Sequence, residues 1–306
     1  MKKYKLLDKD SSNRLHRIEA LRDFGYVKKG DIGGYIAHEG NLSHEGDCWV
    51  SGNAQVLDKA RVYGNAKACD NAKVYENACV YGNAQVLDKA KARGNANVSD
   101  KAKVSGNATV CSNAWVFGNA WVDGNACIYG KAQVFNKAKV HGNANVSGNA
   151  RVCGGANLYE SVWVSGNSWV QGNAQVFGNA TVYDNACVNG NAWVFGDAWV
   201  DGKAWVFGDA QVYGDTIVSG DTKVSGNTLL MSGSNNMKIN KREMPMVKLN
   251  MEATPLNEAL KAAEKQIYKY AIEHAKYNQS RAAELIGVSR GTMRYKLAEF
   301  FPGVYY

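Results

Sequence analysis

From Ala54 to Thr228 a small residue returns at every sixth position without insertion or deletion, the departures from Ala being Val162, Ser168, Thr216, Thr222 and Thr228. Two positions after each stands an aliphatic residue, Val56, Val62, Val74 and on to Leu230, with Ala68 and Ala92 as small exceptions. Residues two apart share one face of a strand, so both point inward and the residue between them points out. A turn pair closes each unit, usually Gly-Asn or Gly-Asp, as at Gly52-Asn53 and Gly208-Asp209. Both members of the pair tolerate the left-handed backbone that a tight corner needs. Three-residue strands joined by such corners stack as a parallel β-helix, a mainly β solenoid with a narrow core of Ala and Val. A uniform solenoid leaves little room for an active site.

The hexads resemble those of the left-handed hexapeptide-repeat β-helix family over about 180 residues. That resemblance implies a triangular coil for every three hexads, hence about ten coils and, at ~4.8 Å per rung, a rod roughly 48 Å long. It also implies a left-handed winding, against the general preference for right-handed crossovers. Residues eighteen apart should then stack. Tyr159, Phe177, Phe195 and Tyr213 form an outward aromatic column at that spacing, the candidate contact face for a partner protein or a second copy. Tyr63 with Tyr81 and Phe117 with Phe135 make shorter columns, and Trp199 is expected between Thr181 and Ile217.

Both ends leave the pattern. Residues 1–48 lack the hexad and read as an N-terminal cap covering the first rung. Their stretches Ile18-Glu19-Ala20-Leu21 and Gly30-Asp31-Ile32-Gly33-Gly34-Tyr35 resemble the leader that precedes Gly-Asn-Ala hexads in phage and prophage proteins. The β-helix is placed at 49–230 and a linker at 231–254, with Ser232-Gly233-Ser234 and Pro245 inside it. Thr254 and Pro255 suit a helix start. From there Leu256, Leu260, Ala263, Ile267, Tyr270, Ala271 and His274 trace an apolar helical stripe.

Residues 255–306 form the last domain. Between Asn278 and Leu297 a short helix carries Ala282, Ala283 and Ile286 inward, Gly287 makes a turn, and Ser289 caps a second helix whose inner face is Met293 and Leu297. Its outer face holds Arg290, Thr292, Arg294, Tyr295 and Lys296, a set suited to a major groove. The blocks Asn278-Gln279-Ser280-Arg281-Ala282-Ala283 and Arg290-Gly291-Thr292-Met293-Arg294 resemble the helix-turn-helix of Fis, a module that also ends enhancer-binding activators of the NtrC type. The resemblance implies double-stranded DNA as partner. Asn278, Ser280 and Arg281 would meet phosphates, and Arg290 a guanine edge with Ser289 beside it. Thr292, Arg294 and Lys296 would hold the backbone. Ser289 replaces a longer amide of Fis and Tyr295 a basic residue, which alters base preference and weakens the phosphate contact. The resemblance further implies a homodimer through Leu256, Leu260, Ala263, Ile267, Tyr270 and Ala271, whereas hexapeptide β-helices favour trimers.

Charge refines this picture. The chain of 306 residues carries +8 in total. Residues 49–151 hold 13 Lys and Arg against 6 acids, and residues 152–230 hold 2 against 7, so the rod is basic at its start and acidic at its end. A net-positive rod fits poorly with mimicry of an anionic duplex, although a scaffold that binds a protein partner remains an alternative. His141, the single His of the rod, has no acidic neighbour and no protruding loop, so hexapeptide-type acyl transfer is not expected, nor any catalytic residue, metal or cofactor. Seven Cys without a Cys-x-x-Cys spacing read as reduced thiols. With no export signal or membrane-length apolar run, a cytoplasmic, nucleoid-associated setting in a bacterial host is expected.

Overall fold

The computed structural model describes residues 2–10, 14–231, 256–275, 277–286 and 288–303, without the side chains of 256–260, 262, 263, 274, 284 and 285. The expected linker therefore lies outside the described residues except for Met231, as do Thr254, Pro255 and Gly287.

The chain is a mainly β parallel solenoid of about eleven turns followed by three helices. The rod's strands are two or three residues long, and the three sheets hold 13, 11 and 10 strands, the first of them including three longer strands ahead of the rod, at residues 4–9, 16–20 and 32–36. The first face runs from Gln55–Val56 to Ile217–Val218, the second from Arg61–Val62 to Lys223–Val224, the third from Trp49–Val50 to Leu229–Met231. Each strand pairs in parallel with the one eighteen residues on, as Gln55 with Lys73 and Trp199 with both Thr181 and Ile217. At ~4.8 Å per rung the rod is roughly 50 Å long. The small and aliphatic positions close on one another along its axis, with Ala126, Ile128, Ala132 and Val134 all fully buried.

The three Thr residues of the small register sit where this constraint relaxes. Thr216, Thr222 and Thr228 belong to the last coil, which no further coil covers. The Thr216 hydroxyl donates to the Tyr213 carbonyl at 2.6 Å and that of Thr228 to Ser225 at 2.7 Å. Ser168 has no such escape. It is fully buried mid-rod, and among the described residues its hydroxyl has no hydrogen-bond partner. Ser168→Ala is expected to raise stability by about 1 kcal/mol in urea denaturation, since it removes a buried orphan hydroxyl at a site built for Ala.

The corners correct one expectation. The Gly of the pair takes the positive φ, as at Gly52 (62°) and Gly208 (72°), but the following Asn does not. Where Gly is missing, its place is filled by residues such as Asp70, Asp88 and Asp100, also at positive φ. Their carboxylates accept the backbone N–H one coil on, Asp88 from Gly106 at 2.9 Å and Asp100 from Gly118 at 3.0 Å. That bond offsets the strain of a side chain in the left-handed region. The Asn side chains instead build ladders along the rod. Asn77 donates to Asn95 and Asn95 to Asn113, each at 3.0 Å.

At the N-terminal end, β1 (Tyr4–Lys9), β2 (His16–Ala20) and β3 (Ile32–Ile36) form an antiparallel cap, and β3 joins the first face by pairing Tyr35 with Gln55. Tyr4, Ile18, Ile36 and Leu42 are buried over the first coil. The open edge of the first coil is thereby covered.

Candidate nucleic-acid interface

The three helices are α1 (Leu256–His274), α2 (Gln279–Leu285) and α3 (Arg290–Phe300). Local chemistry sets both short starts. Asn278 caps α2, its side-chain oxygen accepting from the Arg281 N–H at 3.1 Å. Ser289 caps α3, its hydroxyl oxygen accepting from the Thr292 N–H at 3.0 Å, with the Thr292 hydroxyl 2.9 Å away. These bonds satisfy N–H groups that a helix start leaves open. Ala282, Ala283, Ile286, Met293 and Leu297 are buried together, as their spacing predicts.

Around that core the side chains of Ser280, Arg281, Arg290, Thr292, Arg294 and Tyr295 are exposed, Tyr295 by 67 %. Arg290 and Arg294 stand one helical turn apart on α3. Between Arg290 and Thr292 the backbone is bare. A Cβ added at Gly291 would meet only the Ser289 hydroxyl, at 3.6 Å. The first turn of α3 thus joins open backbone, a helix N-terminus and cationic side chains, a combination that attracts phosphate and nucleobase edges. Asn278 and Ser289 are exposed too, but their side chains already serve as caps.

Residues 259–300 match the Fis family of bacterial regulatory proteins. The matched stretch takes in most of α1 and all of α2 and α3. A second match, to the YdcK β-solenoid repeat, covers residues 174–190 within the rod. No curated protein matches the chain.

Two placements differ from the sequence reading of this Fis-type module. Lys296 is turned towards α1, where its ammonium lies 3.0 Å from Glu264 and 3.1 Å from Glu299. Burial alone would lower its pKa, but hydrogen bonds and charge from these two carboxylates hold it above the usual lysine value. It clamps α1 to α3, and its charge is already matched. The α1 stripe differs as well. Among the described side chains, Tyr268, Ala271 and Ile272 of α1 join the core with Ala275 just beyond its end, so Ala271 lies wholly inside the chain and Ile267 packs partly against the same core. Tyr270 is buried, and the side chains of Leu256, Leu260 and Ala263 fall outside the described residues.

What packs on α1 is the end of the rod. Leu229 and Met231 of the last strand share one apolar cluster with Tyr268, Ile272 and Met293, and Tyr213 lies against it. Burial pushes the Tyr213 phenol well above its ordinary pKa, with the Tyr268 and Glu264 side chains adding to the shift. Sequence reasoning missed this contact, although Met231 stands eighteen residues beyond Tyr213 in the aromatic column. An apolar residue at the uncovered end of a column signals a partner there.

The column itself is real but not a surface. Ring centroids of Tyr159, Phe177, Phe195 and Tyr213 follow one another at 4.8 to 5.0 Å with planes within 6° of parallel. Tyr159 and Phe177 are only 4 % and 2 % exposed, because stacking covers their faces and Trp193 covers the edge of Phe177. The candidate contact face is therefore covered at its centre by its own stacking. His141 extends it, stacked on Tyr159 at 5.4 Å with its Nε2 3.0 Å from the Asn157 side-chain oxygen. Among the described residues no group of His, Cys, Asp or Glu could hold a metal ion, and no helix is long and apolar enough to cross a membrane.

Proposed function

We propose that this chain is a duplex-DNA-binding protein, a transcriptional regulator or nucleoid-type architectural factor, in which the β-solenoid is a rigid arm fixed to the reading head. The observation that carries the reading is the exposed first turn of α3, with Arg290, Gly291 and Arg294, inside a segment that matches the Fis family. Helix-turn-helix modules place such a turn in the major groove. In this reading Arg290 reads a base edge. Arg281, Ser280 and Arg294 meet phosphates, while Asn278, Ser289 and Thr292 hold the two helix starts in place. The chemistry is binding alone, with no catalytic residue and no cofactor, in a bacterial cytoplasm.

The hexad resemblance and its leader favour a left-handed winding and a phage or prophage origin. The contact of Tyr213, Leu229 and Met231 with α1 supports a stiff joint, so that the direction of the rod fixes the direction of the bound duplex. The test is fluorescence anisotropy of the full chain with labelled duplex DNA over a salt series. Binding should weaken linearly in a double-logarithmic plot, as counterion release requires. No binding at low salt, or binding indifferent to salt, would overturn the proposal.

A further inference from the structure

Residues 49–151 hold 13 cations against 6 acids, and among the described residues none of those cations lies within ion-pair distance of a carboxylate. Four of the acids are already engaged. Asp58, Asp70, Asp88 and Asp100 each turn a carboxylate oxygen to a backbone N–H one coil on. The unmatched charge is densest on the first face, where Lys89, Lys91 and Arg93 alternate with the fully buried Ala90 and Ala92. All three side chains leave the rod on one side, at steps of roughly 6 to 7 Å. Lys73 stands one rung nearer the cap, directly opposite Lys91. All four are exposed. On the third face, by contrast, Lys67 and Lys103 lie over the rings of Tyr26 and Trp121, at 3.9 and 5.2 Å. Like charges in opposed positions cost stability in the free chain, and a polyanion laid across them removes that cost.

The surroundings of these four side chains narrow the occupant. Thr109 follows Lys91 one rung on and adds a neutral hydroxyl, while Glu76, at the far edge, pairs with none of the four. A single strand needs exposed rings on which its bases stack, and Tyr75, the ring beside Lys73, is half-buried. Closely spaced cations without a stacking platform suit the phosphates of a duplex. That duplex is not the segment at α3. Lys91 lies seven rungs from Ile217 on the same face, roughly 34 Å. The helices pack at Tyr213, Leu229 and Met231, on the third-face side of the rod end. Between the two places, residues 152–230 carry 7 acids against 2 cations and repel a duplex laid along the rod.

We propose that Lys73, Lys89, Lys91 and Arg93 form a second surface for the phosphodiester backbone of duplex DNA. The chain then holds one duplex at α3 and another near its N-terminal end, with the rod as a rigid spacer between them. This bridging role rests on the DNA-binding reading of α3, whereas the contact on the first face stands without it. The contact reads charge and spacing alone, so it is indifferent to base sequence.

The test is capture of a labelled duplex by beads that carry a second duplex, with the full chain as the only link. Wild type should bridge the two. Lys73→Gln, Lys89→Gln, Lys91→Gln and Arg93→Gln together should cut capture at least about 10-fold and lower the salt slope of anisotropy titrations by about 3 to 4, as loss of four phosphate contacts does. The same charge removed at Lys101, Lys103, Lys137 and Lys139, around the third face, should leave capture nearly intact. All these side chains lie on the surface, so the urea midpoint should hold in both variants. Arg290→Ala with Arg294→Ala separates this proposal from the reading of α3. Residual duplex binding with a slope of about 3 to 4 should persist there and vanish once the four Gln are added. Failure of the α3 reading shows instead as wild-type affinity in that Arg variant. Four outcomes would each overturn the proposal: capture unchanged by the four Gln, an equal loss in the third-face variant, tighter residual binding to a single strand than to the duplex, or displacement by poly-glutamate as effective as by unlabelled duplex.

Discussion

Arg290→Ala is expected to weaken binding to a preferred duplex about 10- to 100-fold and to flatten discrimination among sequences, the loss typical of one bidentate contact to guanine. Arg290 is the first residue of α3, placed by the Ser289 cap and followed by the bare backbone of Gly291. A long guanidinium there projects beyond the helix end, where the helix dipole favours acceptor-rich partners. Arg294→Ala should behave differently. One turn further along, it meets phosphate in the proposed pose, so its loss should weaken all duplexes alike and reduce the salt slope by about 1. Anisotropy titrations of both variants against several duplexes, each over a salt series, separate the two roles. Equal loss on every sequence for Arg290→Ala would move that residue from base reading to backbone contact. Lys296→Ala should leave the salt slope nearly unchanged, because Glu264 and Glu299 already neutralise its ammonium.

The rod was legible because its physics is local. A strict Ala-x-Val register dictates which side chains point inward, and the eighteen-residue step places Trp199 between Thr181 and Ile217 as found. The helix-turn-helix core was legible for the same reason, since Ala282, Ala283, Ile286, Met293 and Leu297 follow one helical period each. What the period could not give was competition between partners. Lys296 occupies an outward-looking position by sequence, yet two carboxylates on α1 and α3 claim it. Tyr159 and Phe177 also point out of the core, but stacking on their own column hides them. The α1 stripe shifted because the nearest apolar surface was the end of the same rod. Each miss involves residues far apart in sequence, or a choice between two equally apolar faces. Asn at the corners belongs to the same class, because its ladder exists only once coils are stacked.

Val134→Asp should destabilise the rod by about 4 kcal/mol or more, the range of an unpaired charge in a closed core. Val134 is fully buried mid-rod, in register with Val116 below and Val152 above. Its neighbours in the column are aliphatic on both sides. A carboxylate there must either part the coils or take up a proton, and the second route gives a sign that can be tested. Burial raises the folded-state pKa above the unfolded value, so the folded protein binds the proton more tightly and the deficit shrinks as pH falls towards the acidic range. Val224→Asp provides the contrast. It pairs with Val206 on one side only, in the last coil, where the Thr216 and Thr228 side chains are already hydrogen-bonded. Its cost should be smaller by half or more. The site of damage should differ as well. In a solenoid each coil touches only its neighbours, so a defect mid-rod breaks one cooperative unit into two, whereas a defect in the last coil frays it. Hydrogen exchange should therefore quicken in the coils flanking Val134 for the first variant and only towards Leu229 for the second. Urea transitions at two pH values measure the energies. An unchanged midpoint for Val134→Asp would mean that the aliphatic column does not hold the coils together.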